Sequence, residues 1–186
     1  MSRQTWVETL MTAEADGPTL TAAATASALP TGALYTLPAN YFDLGKQLRV
    51  MASGRVSTVI TTPGTFRFLV QFAGVTVFDS LAILPDTLVA YVTVGWWLDI
   101  LLTCRAIGNG TSANLMGQGK FTCTDLIGQV QTPPKAAQTA ILPWNSAPAV
   151  GGGFNSTVSN LVDLQFTQNV DTGSITLHEY CLQALN

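Results

Sequence analysis

The sequence predicts an all-β protein, a two-sheet β-sandwich or jelly roll (or a barrel) of about eight to nine strands with an extended N-terminal arm. Three observations predict it. Beyond the first 30 residues there is no sustained 3.6-residue periodicity. Runs of two-residue alternation recur instead between Pro, Gly, Asn and Asp turn signals. Residues 96–124, finally, read as one self-consistent hairpin.

In that hairpin Asn109-Gly110 is the expected two-residue turn, a dipeptide suited to positive φ at both central positions. The register then places Trp96 opposite Cys123, Leu98 opposite Phe121, Ile100 opposite Gly119, Leu102 opposite Gly117 and Cys104 opposite Leu115. That face is apolar or glycine throughout. The other face sets Trp97 against Thr122, Asp99 against Lys120, Leu101 against Gln118, Thr103 against Met116 and Arg105 against Asn114. Acid meets base there, as cross-strand pairing favours. A slip of one residue would scramble both faces, so the register is self-specifying.

Residues 1–30 are read as a separate arm and residues 31–186 as the β-domain. Within the arm, residues 3–14 are expected to form a short helical segment with Trp6, Leu10 and Val7 on one face, ended by Gly17-Pro18. The following TLTAAATASALP has low complexity, and the arm is either a disordered terminus or a strap that orders against a neighbour. Trp6 favours a docked arm, because an indole is costly to leave in water. YTLPANYF reads as a short edge strand stopped by Pro38. Over 46–60, Leu48, Val50 and Ala52 share one face, and Gly54 is expected to mark a bulge or bend. Thr62-Pro63-Gly64 suits a type I or II turn. Phe66, Phe68, Val70 and Phe72 then point inward with Arg67 and Gln71 outside, Ala73-Gly74 turns the chain, and Val75 and Val77 continue inward. A connection over 79–87 precedes a strand expected at Leu88–Val94. Residues 125–153 are loop-rich, with a short strand near Thr139–Leu142, a bulky anchor in Trp144 and a flexible triple glycine at 151–153. Val162, Leu164 and Phe166 mark an inward face, residues 169–173 a turn, and Ile175–Leu185 a long final strand.

Composition narrows the function classes. Apolar residues make up 47% of the chain, but charged residues only 10%, against about 25% in typical soluble domains. So sparsely charged a surface is accounted for by burial of part of it in an assembly, the alternative being a secreted β-protein with a neutral polar coat. Net charge is −3 and the eight Lys and Arg are scattered, so no basic stripe is available for nucleic acid. The N-terminus carries Glu8, Glu14 and Asp16 where an export signal needs an apolar core, and no signal peptide is expected. Residues 88–102 are too short and too rich in β-branched residues for a transmembrane helix. Of the three cysteines, Cys104 and Cys123 fall about 26 Å apart along the hairpin, beyond the roughly 7 Å that a disulfide spans. Cys181 could meet either; three buried thiols are expected, and no spacing resembles a zinc site.

No catalytic constellation stands out, and neither an enzyme nor a cofactor is expected. His178, the only histidine, lies mid-strand without a nucleophile motif, though Asp163 and Glu179 could neighbour it. The carboxylates are isolated and mostly outward or in turns, which disfavours glycosidase chemistry. Asn109-Gly-Thr and Asn155-Ser-Thr match a glycosylation sequon that means little without secretion. Trp6, Leu10, Trp97 and Trp144 are the candidate interface residues, and Trp96, Trp97, Trp144 and Tyr91 could alternatively form a sugar-stacking platform, although Trp96 falls on the core face.

GKQLRVMASGRVSTVITTPGTFRF, WWLDILLTCRAIGNGTSANLMGQGKF and SITLHEYCLQALN, in that order and spacing, resemble a family of small all-β virion proteins of tailed bacteriophages. The resemblance extends over about residues 30–186 and implies a capsid decoration or cement protein, or a head or tail accessory, commonly trimeric. It further implies the major capsid protein or a neighbouring virion protein as partner, and a place on the capsid surface after synthesis in the bacterial cytoplasm. No catalytic residue comes with it. The alternative is a receptor- or carbohydrate-binding module of a fibre or spike. On the decoration reading, removal of residues 1–20 is expected to weaken attachment and leave the sandwich folded.

Overall fold

The computed structural model describes residues 6–126, 137–144 and 150–185. Eleven strands follow one another among them: β1 (Val7–Thr12), β2 (Thr25–Ser27), β3 (Tyr35–Leu37), β4 (Gln47–Thr58), β5 (Phe66–Phe72), β6 (Val75–Asp79), β7 (Tyr91–Ala106), β8 (Asn114–Cys123), β9 (Gln138–Leu142), β10 (Asn160–Gln168) and β11 (Ser174–Leu185). A 3-10 turn at Thr31–Ala33 is the one helical element among them. The strands form two antiparallel sheets, one in the order β1-β11-β4-β7-β8-β9 and the other β2-β10-β5-β6, with β3 also on β10. The expectation of an all-β chain with two sheets holds, with more strands than anticipated. Two of the additional strands come from the arm.

The sheets meet across an aromatic seam. Phe66 contacts Phe121 across the sheets and Phe68 contacts both Trp96 and Phe121, with Phe68 and Phe121 ring centroids 5.0 Å apart, while Phe166 packs beside Phe66 and Phe68 in its own sheet. Phe42, Phe72 and Phe154 form a second cluster in the same continuous core. Burying each such ring contributes about 2–3 kcal/mol. The inward residues expected of β4, β5 and β10 are all buried, as are Trp96, Leu98, Ile100, Leu102 and Cys104 on β7.

The central hairpin has the expected register from Trp96–Cys123 to Cys104–Leu115. Its turn differs. Arg105 is bulged, Ala106 and not Arg105 faces Asn114, and the connection spans residues 107–113. Gly110 has φ +61°, but Asn109 does not adopt positive φ. The wider loop is held by a neighbouring segment: Gly108 and Ser156 exchange backbone and side-chain bonds, and Ala113 pairs with Phe154. A true two-residue turn occurs at Ala73-Gly74, both at positive φ, joining β5 to β6.

Other expectations are corrected. Residues 7–12 form a strand and not a helical segment, because the open ladder of β11 offers them partners that an isolated short helix lacks. Leu88–Val94 is not a strand of its own; β7 begins at Tyr91 and runs 16 residues without a break. Gly54 is not the bulge. Opposite it, β11 is bulged at His178, and a Cβ on Gly54 would lie 2.0 Å from the Thr176 carbonyl oxygen. The triple glycine is no loose loop: Gly151 packs so tightly that a Cβ would sit 1.8 Å from the Val77 carbonyl oxygen. Gly151 N–H donates to Leu115 on β8 and Gly152 N–H to Thr76 on β6, so this segment stitches one sheet to the other.

The opposite side is stitched by the arm. After β1, Gly17 N–H donates to Leu177, and Leu20 exchanges bonds with Ile175, carrying the strap along β11 before β2 joins β10 in the other sheet. Leu10, Met11 and Leu20 pack on the core, and His178 Nδ1 lies 2.9 Å from Asp16.

Candidate interface on the outer face of the six-stranded sheet

The two outer faces differ chemically, and register explains how. On the second sheet, outward side chains satisfy one another: Ser27 and Gln165 both donate to Asp163, Arg67 pairs with Asp79, and Thr25 bonds Thr167. Burial pushes the Asp79 carboxyl up, but the Arg67 guanidinium and the Leu81 amide outweigh it and hold it below the usual carboxylate range. Leu161 is the single large apolar side chain exposed on those strands among the described residues.

The first sheet presents three rungs that run across its strands. One carries Glu179, Ser53, Trp97, Thr122 and Thr139 on β11, β4, β7, β8 and β9. The next carries Thr12, Cys181, Met51, Asp99, Lys120 and Ile141. The third carries Thr9, Gln183, Arg49, Leu101 and Gln118. Trp97, Leu101 and Ile141 are 46%, 38% and 65% exposed, so each rung or its neighbour bears an apolar side chain in water. One ionic cluster crosses this face. Arg49 donates from Nε and a terminal nitrogen to the two oxygens of Asp99, at 2.8 and 2.7 Å, while Lys120 stands 4.0 Å away. The Arg49 hydrogen bond, more than the charge of Lys120, holds the Asp99 carboxyl below its usual range. The pairing expected of Asp99 with Lys120 is therefore the looser of two.

Beside Trp97, the small Ser53 leaves a depression of about 290 Å³, walled by the indole and Met51 on one side and by Thr12 and Ala13 of the arm on the other. Glu179 stands at its rim and accepts from Ser53 Oγ at 3.1 Å. Cys181 lines it and is half-buried, which corrects the expectation of three buried thiols; Cys104 and Cys123 are buried, and all three are free. Burial raises the Cys123 thiol to about 12.

The other expected residues fall elsewhere. Trp6 is exposed where the described arm begins, and Leu10 sits at the β1 bulge against the chain's own core. Trp144 is half-exposed beyond β9 and donates its indole N–H to the Ala82 carbonyl at 2.7 Å, beside a groove with Ile83, Leu84 and Leu126. Trp97 and Trp144 thus line separate grooves and do not form one platform with Tyr91, which is buried. His178 is paired with Asp16 of the arm, and not with Asp163, which lies in the other sheet. Among the described residues, no group of three or more His, Cys, Asp or Glu side chains gathers to hold a metal ion. No helix among them is long and apolar enough to cross a membrane.

Sequence reasoning missed a buried acidic pair. Asp125 is 0% exposed; it accepts from Thr58 Oγ1 at 2.5 Å and from the Asp86 amide at 3.0 Å, while Asp86 accepts from Tyr91 and Leu88. Burial pushes the Asp125 carboxyl up, against the lowering effect of those two donors. The arrangement ties the 80–90 connection to the end of β8. Ile141 beside Lys120 and Glu179 beside Ser53 were missed too: the first depends on the pairing of β9 with β8, the second on pairing between β11 and β4, far apart in sequence. One signal was present: apolar positions shift from Ile175 and Leu177 to Tyr180, Leu182 and Ala184, a phase change that marks a bulge. No family model, curated protein or solved structure matches the chain.

Proposed function

We propose that the chain is a structural subunit of a tailed-phage particle, a decoration or cement protein that stabilises the capsid through contacts between subunits. The observation that carries this reading is the asymmetry of the outer faces. One is largely polar and satisfied within itself, with Leu161 its single exposed large apolar side chain among the described residues, while the other exposes Trp97, Leu101 and Ile141 across adjacent rungs. A surface of that kind marks an interaction site, and a chain with 10% charged residues has little charge to keep it dispersed if that face stays open to water. The resemblance of the KQLRV, TPGT and SITLHEY segments to small virion proteins supplies the setting, including the trimer and the place on the capsid surface.

Strand order supports the finer reading as a jelly roll. Without β3, β8 and β9, the chain alternates between sheets as β1-β11-β4-β7 against β2-β10-β5-β6, two four-stranded Greek-key layers of the kind used in capsid and lectin domains. The β8–β9 hairpin extends the first layer and widens the face that carries Trp97 and Ile141. A carbohydrate- or receptor-binding module is the second reading, favoured by the exposed Trp97 indole. Quantitative mass spectrometry of purified phage particles tests the first. Presence at a fixed ratio to the shell protein is expected, and absence from the particle would overturn it.

A further inference from the structure

The depression beside Trp97 has a composition that selects its occupant. Its walls are the Trp97 ring, Met51, Ala13 and the Cys181 side chain, and its polar groups are few, with one carboxylate at the rim. Glu179, Ser53 and Trp97 are direct cross-strand neighbours, so the carboxylate and the indole flank a small residue about 10 Å apart. The charges around them are already committed or turned aside. Arg49 is bound to Asp99, the ring of His178 to Asp16, and Arg55 lies over Gly95. Among the described residues Glu179 is in no ion pair; its side chain meets only the Ser53 hydroxyl.

We infer that this groove receives an arginine or lysine side chain from a partner protein, its aliphatic stem along Trp97 and Met51 and its cationic head at Glu179. Long basic side chains bury their stems on apolar surface while the head stays at the rim. A pyranose fits less well, since its hydroxyls need several convergent polar partners and the groove offers Ser53, Thr12 and Glu179. The arm wall makes the groove complete only while residues 12–13 are docked on β11. The naming of a virion partner rests on the function proposed above; the cation site itself does not.

The test is a titration of the full ¹⁵N-labelled chain with the peptide acetyl-Gly-Arg-Gly-amide, followed by NMR. Its neutral citrulline counterpart and a set of monosaccharides serve as controls. Saturable shifts are expected at the Trp97 indole and at residues 12–13, 51–53 and 179–181, with core signals such as Trp96 unmoved. Glu179→Gln should weaken binding about tenfold, as loss of a charged hydrogen-bond partner does, and added salt should weaken it further. Equal binding of the citrulline peptide, an unaffected Glu179→Gln protein, or a sugar shifting the same signals in place of the cation would each overturn the inference. Arginine binding by a chain absent from phage particles would leave the groove standing and remove the virion role alone.

Discussion

At the scale of single residues, Asp99, Asp125 and Gly54 carry most of what can be measured. Asp99 is lowered chiefly by its hydrogen bonds to Arg49. Its folded-state value lies below the unfolded one, so the pair's contribution is full above the ordinary aspartate range and is lost as pH falls through the lowered value. Arg49 is 41% exposed, so solvent screening limits the pair, and Arg49→Ala should cost about 1 kcal/mol at neutral pH. It should also flatten the acid limb of stability in urea titrations across pH. Asp125 has the opposite sign. Burial raises it, so stability should fall as pH climbs from the ordinary aspartate range to the raised value, and Asp125→Asn should abolish that slope. A slope that persists in the variant would place its source elsewhere. Gly54 is a steric matter: Gly54→Ala drives a methyl group against the Thr176 carbonyl and the Trp96 ring and should cost about 3 kcal/mol in denaturant unfolding.

At the scale of elements, the hairpin of β7 and β8 was legible because its two strands are close in sequence and each face has one chemical character. The inward faces of β4, β5 and β10 were legible for the same reason, since alternation reports burial directly. What stayed hidden depends on pairing between distant segments. Nothing within residues 7–12 announces that β11 lies open beside them, and the short apolar spacing there suits helix and strand alike. Likewise Trp97 could be placed outward from sequence, but its neighbours Ser53 and Glu179 come from strands more than forty residues away on either side. The docked arm also changes an expectation. Removal of residues 1–20 takes away β1, the strap on Leu177 and Ile175, and the core contacts of Leu10, Met11 and Leu20, leaving the β11 edge bare. The truncated chain should melt about 10 °C lower in calorimetry and aggregate through that edge. An unchanged melting temperature would show the strap to be dispensable for folding.

At the scale of the whole molecule, the two sheets differ in what their strands expose: Trp97, Leu101 and Ile141 on the first, and Leu161 alone among the large apolar side chains described on the second. The side chains of the second sheet, the 150–153 segment and the arm bond within the chain, and the outer face of the first sheet leaves Trp97, Leu101 and Ile141 exposed. On the decoration role proposed above, several modest contacts per copy, each near the size of a standard interface or below it, would hold a shell through multivalency without any one being tight. Thiol labelling gives a simple check on which face is covered. Cys181 alone is half-exposed among the three cysteines, so it should react first in the free chain and become protected in an assembly that uses this face. The most direct measurement is co-sedimentation of the purified chain with phage particles stripped of it, comparing wild type with a Trp97→Glu, Leu101→Lys, Ile141→Lys variant whose core is untouched. Saturable binding of the wild type with the variant left in the supernatant is the predicted result. Equal pelleting of both, or of neither, would contradict the account.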